Sequence, residues 1–325
     1  MLARFNDAMR LAVLDVGTTS IHLLVVEVAP DRSFRTVESV KDMTRLGQGT
    51  LKAGWLSNER IEHATGVIRQ FERVARRSRA TRVIAVATAA VREAANGREF
   101  VARIRRETGL RIRIIDGGEE SRLAYLAARH YGSFGRHPAL LVDIGGGSTD
   151  VVVGTERDML FARSVPVGAL RLHDFFVSGV PVPKRDHRRI HLHLRAALAS
   201  TLEELHRYAA RRAIGMSATL VNIATVLAER SGRPPLASPH GRAFDLRDLM
   251  RLHDEMAGAN RSDLAAIDGL DPQRHDLALP AACAALEILE PLGIDTLTVC
   301  DRGVREGLVI DALARPARRR RIIEV

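Results

Sequence analysis

Residues 139–156 read ALLVDIGGGSTDVVVGTE, two runs of valine, leucine and isoleucine broken by three consecutive glycines. Glycine in a strand context loses conformational entropy and packs nothing. Three in a row must therefore return something other than packing. One return is a tight turn whose backbone N–H groups stay open to an anion. The plainer reading is an ordinary hairpin turn, where glycine is common. Two carboxylates tip the balance, because Asp143 stands just before the glycines and Asp150 just after them. Acids flanking a phosphate cradle suit Mg2+, which binds through one or two carboxylates together with phosphate oxygens and water.

This stretch has an echo near the start of the chain. Residues 12–25 read AVLDVGTTSIHLLV, and residues 140–153 read LLVDIGGGSTDVVV. Aligned without gaps, Asp15 falls on Asp143, Gly17 on Gly145 and Ser20 on Ser148. The spacing is that of one domain. It predicts two similar lobes, each opening with a strand–turn–strand whose loop points into a shared cleft. The lobes are placed at residues 1–130, joined by the C-terminal helix 303–325, and at residues 131–302.

The rest of the pattern alternates strands and helices. In the first half, strands are expected at 11–16, 21–28, 34–41, 81–88 and 112–115. Ser57 caps a helix over 57–79 whose apolar face is Ile61, Ile68, Phe71 and Val74. A further helix starts near Ala90, another runs from Glu99 to Thr108 and stops at Gly109, and a third covers 119–130. The second half carries strands at 139–144, 149–154 and 159–165. A long basic helix spans 184–212, and AIGMSAT at 213–219 reads as a strand entering a loop. A surface loop is expected at 231–241 and helices at 245–257 and 276–291. A last strand and loop at 297–303 leads into a helix to about residue 314. The fold class is α/β with mixed sheets flanked by helices.

Composition bounds the function. The chain has 325 residues, 46% of them apolar, enough for two cores. No window approaches the ~18 uncharged apolar residues of a membrane helix. The first apolar run, LAVL at 11–14, is stopped by Asp15 and is too short for a signal peptide. The two cysteines, Cys283 and Cys300, sit among apolar neighbours without a pairing pattern. They read as reduced packing residues of a cytoplasmic protein. The net charge of +10 favours polyanionic partners. Arginine far outnumbers lysine, which suits bidentate phosphate contacts. Only 4% of residues are aromatic, so a stacking platform for nucleic acid is not expected. The tail RPARRRR at 315–321 reads as a solvated end.

Six segments together resemble the exopolyphosphatase and guanosine pentaphosphate phosphatase family of the actin-like ATPase superfamily. They are DVGTTSIH at 15–22, ATAAVREA at 87–94, GGEESRLAY at 117–125, VDIGGGSTD at 142–150, GMSAT at 215–219 and DRGVREGLV at 301–309. The glycine motif is shared across the superfamily, whereas EESRL and VREGLV are more specific. The chain looks like the short, two-domain form, without the C-terminal helical domain of longer members, which favours short chains as substrate. The resemblance implies two ribonuclease-H-like (actin-like) lobes with the active site in the cleft between them. It implies hydrolysis of the terminal phosphate of inorganic polyphosphate with Mg2+, Mn2+ being the alternative ion. Dimerisation is common in the family.

The site residues follow from both lines. The resemblance makes Glu120 the base for the attacking water. Its neighbour Glu119 fits a plain helix start, where acids complement the dipole. Gly145, Gly146, Gly147 and Ser148 are expected to donate to phosphate, and Gly17, Thr18, Thr19, Ser217 and Thr219 to serve in the corresponding loops. Asp143 and Asp150 are the metal carboxylates, with Asp15 as their duplicate from the first lobe. Arg92 is placed as a charge clamp by its position in the family motif. Two departures stand out. Thr18 and Thr19 replace the family's Ser-Asn, and Ala218 stands where glycine is usual, so a methyl there would crowd phosphate or meet an unfavourable backbone.

His187 and His191 are four apart on the basic helix, a metal-site spacing, yet without an evident third ligand they are assigned to its basic face. With Lys184, Arg185, Arg188, Arg189 and Arg195, that face is a candidate guide for polyphosphate. Rival readings are a guanosine pentaphosphate phosphatase, a non-catalytic alarmone or polyphosphate sensor, and an ATP-using kinase or ATPase.

Overall fold

The computed structural model describes residues 9–231 and 238–314. They form two compact units, one from the residues up to 116 together with 304–314, the other from 117–303. The helix expected at 119–130 thus belongs to the second unit rather than the first. The basic tail at 315–321 and most of the 231–241 loop lie outside the described residues.

The first unit is a five-stranded sheet in the order β3-β2-β1-β4-β5. Its strands are β1 (Met9–Val16), β2 (Ile21–Val28), β3 (Phe34–Asp42), β4 (Arg82–Ala87) and β5 (Ile112–Ile114). The first three form an antiparallel meander, and β4 and β5 run parallel to β1. Strand alternation divides β1 between two faces. Ala12, Leu14 and Val16 join the core under α2 (Asn58–Arg77) and α4 (Gly97–Thr108). Leu11, Val13 and Asp15 take the opposite face, and α12 (Val304–Ala314) packs on β1. Ser57 caps α2 by accepting from the Arg60 N–H, and Gly109 ends α4 in a left-handed conformation at φ 76°. Two short helices, α1 (Thr50–Ala53) and α3 (Ala89–Glu93), complete the unit.

The second unit repeats this order and adds one strand: β10-β11-β9-β6-β7-β8. The strands are β6 (Ala139–Ile144), β7 (Thr149–Gly154), β8 (Met159–Val165), β9 (Ala213–Met216), β10 (Ala243–Asp245) and β11 (Thr296–Val299). Again the first three are antiparallel, and β9 and β11 follow in parallel. Leu140, Val142 and Ile144 enter the larger core, beneath α6 (Ala169–Phe176), α7 (Lys184–His206), α8 (Ala218–Arg230), α9 (Leu246–Gly258) and α11 (His275–Leu289). Leu141 and Val152 face the other way and pack with Ala124, Tyr125 and Ala128 of α5 (Gly117–His130). By the same alternation Asp143 and Asp150 project on the α5 face.

Several elements differ from expectation. The chain beyond Ser217 is a helix, not a loop, because Leu220, Ile223, Ala224, Val226 and Leu227 give it a wide apolar face that the core covers. Helix α7 ends at His206, before a turn that places Ala209 at φ 46°. The short α6, α10 (Arg261–Ala265) and β10 carry too little periodicity to be read from sequence. Among the described residues no helix is long and apolar enough to cross a membrane.

Candidate active site

The two hairpins share one turn. Gly145 donates its N–H to Ser148 O at 2.9 Å, and Gly17 donates to Ser20 O at 3.0 Å. A Cβ on Gly145 would lie 3.1 Å from Ser148 O, and one on Gly17 would lie 2.9 Å from Ser20 O. The turn therefore demands glycine at position 17, and at position 145 a side chain would press on the matching carbonyl. The cross-strand register also repeats. Asp143 lies opposite Asp150, and Asp15 lies opposite His22. The duplication thus preserves the first acid and replaces the second with histidine, whose Nε2 meets Ser20 Oγ at 2.8 Å and whose Nδ1 meets Arg305 at 2.9 Å.

In the second unit the glycine loop is clamped from behind by the start of α6. Gly145 O accepts from the Ala169 N–H and Gly146 O from the Arg171 N–H. Gly147 O accepts from the Gly168 N–H at 3.3 Å and from Arg171 Nε at 2.8 Å. With the carbonyls taken, the N–H groups of Gly146, Gly147 and Ser148 make no hydrogen bond among the described residues. Successive backbone N–H groups left open in a turn form an anion-binding nest. Gly168 permits the clamp, since a Cβ there would fall 2.5 Å from Gly146 C and O and from Gly147 N. Gly168 and Arg171 were not singled out in the sequence. Their signal was a glycine between an extended run and the apolar ALRL of α6.

Asp143 and Asp150 stand directly opposite each other on one face. Like charges so placed destabilise a sheet unless a cation joins them. The donor set is carboxylate oxygen only, which fits Mg2+ or Mn2+. Asp150 is buried at 3% exposure and accepts from Ser121 Oγ at 2.9 Å. That bond ties the start of α5, which carries Glu119 and Glu120, to the Asp150 carboxylate. The tight spot at Gly117 has an internal cause: a Cβ would meet Ser164 Cβ of β8 at 2.4 Å. Gly117 is thus required by the contact between α5 and β8.

In the first unit Asp15 Oδ1 is sealed from solvent and has no hydrogen-bond partner among the described residues. Burial pushes its carboxyl up to about 6, against the pull of Arg305 and with a push from Glu306. An orphaned buried carboxylate oxygen costs stability when left unmade and fits a site that a cation completes. Thr18 is buried and its hydroxyl accepts from the Ala90 N–H at the start of α3. Gly47 sits against it, where a Cβ would meet Thr18 Cγ2 at 2.2 Å. Arg92, on α3, donates to Ile115 O at 3.0 Å.

The GMSAT segment answers the backbone part of the concern over Ala218. The unusual backbone is at Ser217, with φ 94° and ψ 152°, while Ala218 begins α8 with helical geometry. The alanine methyl therefore meets no left-handed strain. Ser217 Oγ caps α8 by accepting from the Leu220 N–H. Thr219 is spent within the fold, its Oγ1 accepting from buried Arg274 at 3.2 Å.

The basic-face assignment of His187 and His191 is corrected. Both rings turn inward, toward His253 of α9, because the inner side of α7 packs on α11. Arg195 of that face is bound by Glu287 of α11.

Comparison with known proteins agrees with this architecture. Residues 24–316 match the model of the Ppx/GppA phosphatase family. Exopolyphosphatase 1 of Mycobacterium leprae is 31% identical over 311 residues, covering 94% of this chain and 90% of the relative. A crystal structure of an exopolyphosphatase from Cytophaga hutchinsonii superposes with a TM-score of 0.88 at 26% identity, covering 94% of this chain and 98% of the other. A Ppx/GppA family member from Aquifex aeolicus superposes with a TM-score of 0.76 at 26% identity over 94% and 98% of the two chains. With its duplicated hairpins, two-sheet α/β fold and match along nearly its whole length, the chain belongs to the Ppx/GppA phosphatase family.

Proposed function

We propose that this chain is an exopolyphosphatase that hydrolyses the terminal phosphoanhydride of inorganic polyphosphate. The observation that carries the reading is in the second unit. An open N–H nest lies beside two opposed carboxylates, and Glu120 stands one residue before Ser121, whose hydroxyl binds Asp150. The nest at Gly146, Gly147 and Ser148 binds the terminal phosphate oxygens. Glu120 orients a water and takes its proton as the water oxygen bonds to the terminal phosphorus. The bridging P–O bond breaks, and the shortened chain leaves with the electron pair. Asp143 and Asp150 are the residues of the second unit that would hold Mg2+ or Mn2+, with Asp15 the matching carboxylate of the first unit, and the ion would neutralise charge on the phosphate oxygens. Arg92 adds a positive charge for the same purpose.

Guanosine pentaphosphate presents the same terminal bond and is the comparison substrate. A cytoplasmic homodimer completes the proposal, supported for location by two buried thiols that form no disulfide among the described residues, and by the family resemblance for assembly. The test is orthophosphate release from polyphosphates of defined length with Mg2+. Glu120→Ala is expected to lower kcat by about 10²–10⁴-fold with little change in KM. A wild-type protein that releases no phosphate from polyphosphate, or a Glu120→Ala variant as active as wild type, would overturn it.

A further inference from the structure

Three helices of the second unit bring four ligand-type side chains to one point. His187 and His191 lie one turn apart on α7, His253 lies on α9 and Cys283 on α11. One ligand atom from each falls within 4.8 Å of every other. His187 Nε2 is 2.9 Å from His253 Nε2 and 3.3 Å from His191 Nε2. In a tetrahedral zinc site, bonds of ~2.0–2.3 Å set neighbouring ligand atoms about 3.3–3.6 Å apart. The cluster is therefore close to the dimensions of a metal site. Cys283 is fully buried and His253 is 5% exposed. Ile190, Leu194, Leu249, Leu252 and Met256 belong to the same apolar core.

The outer contacts orient the rings. His191 Nδ1 is 2.7 Å from Glu287 Oε1, and Arg195 holds that carboxylate in turn. His253 Nδ1 is 2.9 Å from Asp254 Oδ1. A carboxylate only accepts, so both Nδ1 atoms carry the proton and both Nε2 atoms present lone pairs. These lone pairs point at His187 Nε2. One proton on that nitrogen serves one of them well, whereas a cation at the centre serves all. Carboxylate–histidine pairing of this kind is the usual support of a metal-ligating imidazole.

We propose that His187, His191, His253 and Cys283 bind one zinc-class divalent ion, which fastens α7, α9 and α11 together as a closed structural site. Imidazole and thiolate select zinc over the hard ions that suit carboxylate oxygens. Binding displaces the Cys283 thiol proton to solvent, and the sulfur lone pair bonds to the metal. None of the four residues has a part in the proposed hydrolysis.

The test is metal analysis of the full chain purified without chelator, followed by replacement of the bound ion with Co2+. About one zinc per chain is expected, with a thiolate-to-cobalt charge-transfer band and strong tetrahedral ligand-field bands. Cys283→Ser should abolish the charge-transfer band. His187→Asn, at a half-buried position, should release the metal. Asp254→Asn changes a side chain that is 81% exposed, so the fold is kept; zinc affinity measured against a chromophoric chelator should fall about 10–100-fold. Glu120→Ala should retain the zinc. A folded wild type that holds neither zinc nor cobalt, or metal binding that Cys283→Ser, His187→Asn and Asp254→Asn all leave unchanged, would overturn the proposal.

Discussion

Gly168→Ala is the sharpest test of the phosphate loop, because its effect is steric alone. Gly168 has φ −74° and ψ 160°, a conformation that alanine adopts freely. The new methyl would nevertheless lie 2.5 Å from Gly146 C, Gly146 O and Gly147 N. All three are backbone atoms, so no side chain can swing aside. Restoring ordinary contact means moving the loop or the start of α6 by about 0.9 Å. Overpacking of this kind costs about 1–3 kcal/mol, partly offset by the ~0.4–1 kcal/mol that Gly→Ala contributes through the unfolded chain. The net loss should lower Tm by a few degrees, at about 2–4 °C per kcal/mol. A displacement near 1 Å in a positioning loop can cost about 10²-fold in rate. Orthophosphate release at saturating polyphosphate, with Tm measured in parallel, reads both effects. Gly179→Ala is the control, since its Cβ would meet nothing within 4 Å. If Gly168→Ala matches wild type in both kcat and Tm, the loop does not depend on this contact and the account of the nest fails.

Asp143→Asn removes one of the two opposed carboxylates, so phosphate release should collapse and the stabilisation that Mg2+ gives the wild type should shrink; denaturant melts with and without Mg2+ check the second effect. Asp15 holds its proton up to about 6 in the folded chain against an ordinary 3.8. The folded state therefore binds more protons between these values, and stability falls as pH rises through that window. In chelator, the stability of wild type relative to Asp15→Asn should drop between pH 4 and 6, by at most about 3 kcal/mol at ~1.4 kcal/mol per pKa unit; a flat difference refutes the burial argument. Ser217 sits in a backbone region that costs non-glycine residues about 1–3 kcal/mol, while losing its helix cap to alanine costs about 1 kcal/mol and to glycine only a few tenths. Urea melts should rank Ser217→Gly well above Ser217→Ala, and the reverse order would refute both the strain and the cap.

The strand–turn–strand units were legible in the sequence because everything that makes them is local. Apolar alternation sets the strands, and a glycine between an acid and a hydroxyl sets the turn. A gapless match between residues 12–25 and 140–153 reported that the same unit occurs twice, and the structure repeats even its Gly-to-Ser bond and its strand register. The helices expected at 57–79 and 99–108 stand at 58–77 and 97–108, marked in the sequence by Ser57, Gly109 and their apolar spacing. What the sequence could not decide were contacts between segments distant along the chain. Gly168 is required by a loop more than twenty residues before it, and nothing near Gly168 says so. The strain attributed to Ala218 belongs to Ser217, because helix α8 already starts at Ala218. His187 and His191 showed half of a ligand set on one helix, but His253 is 66 residues away and on another element. Periodicity tells which face of a helix is apolar. Only packing three helices together decides which polar side chains share the space between them.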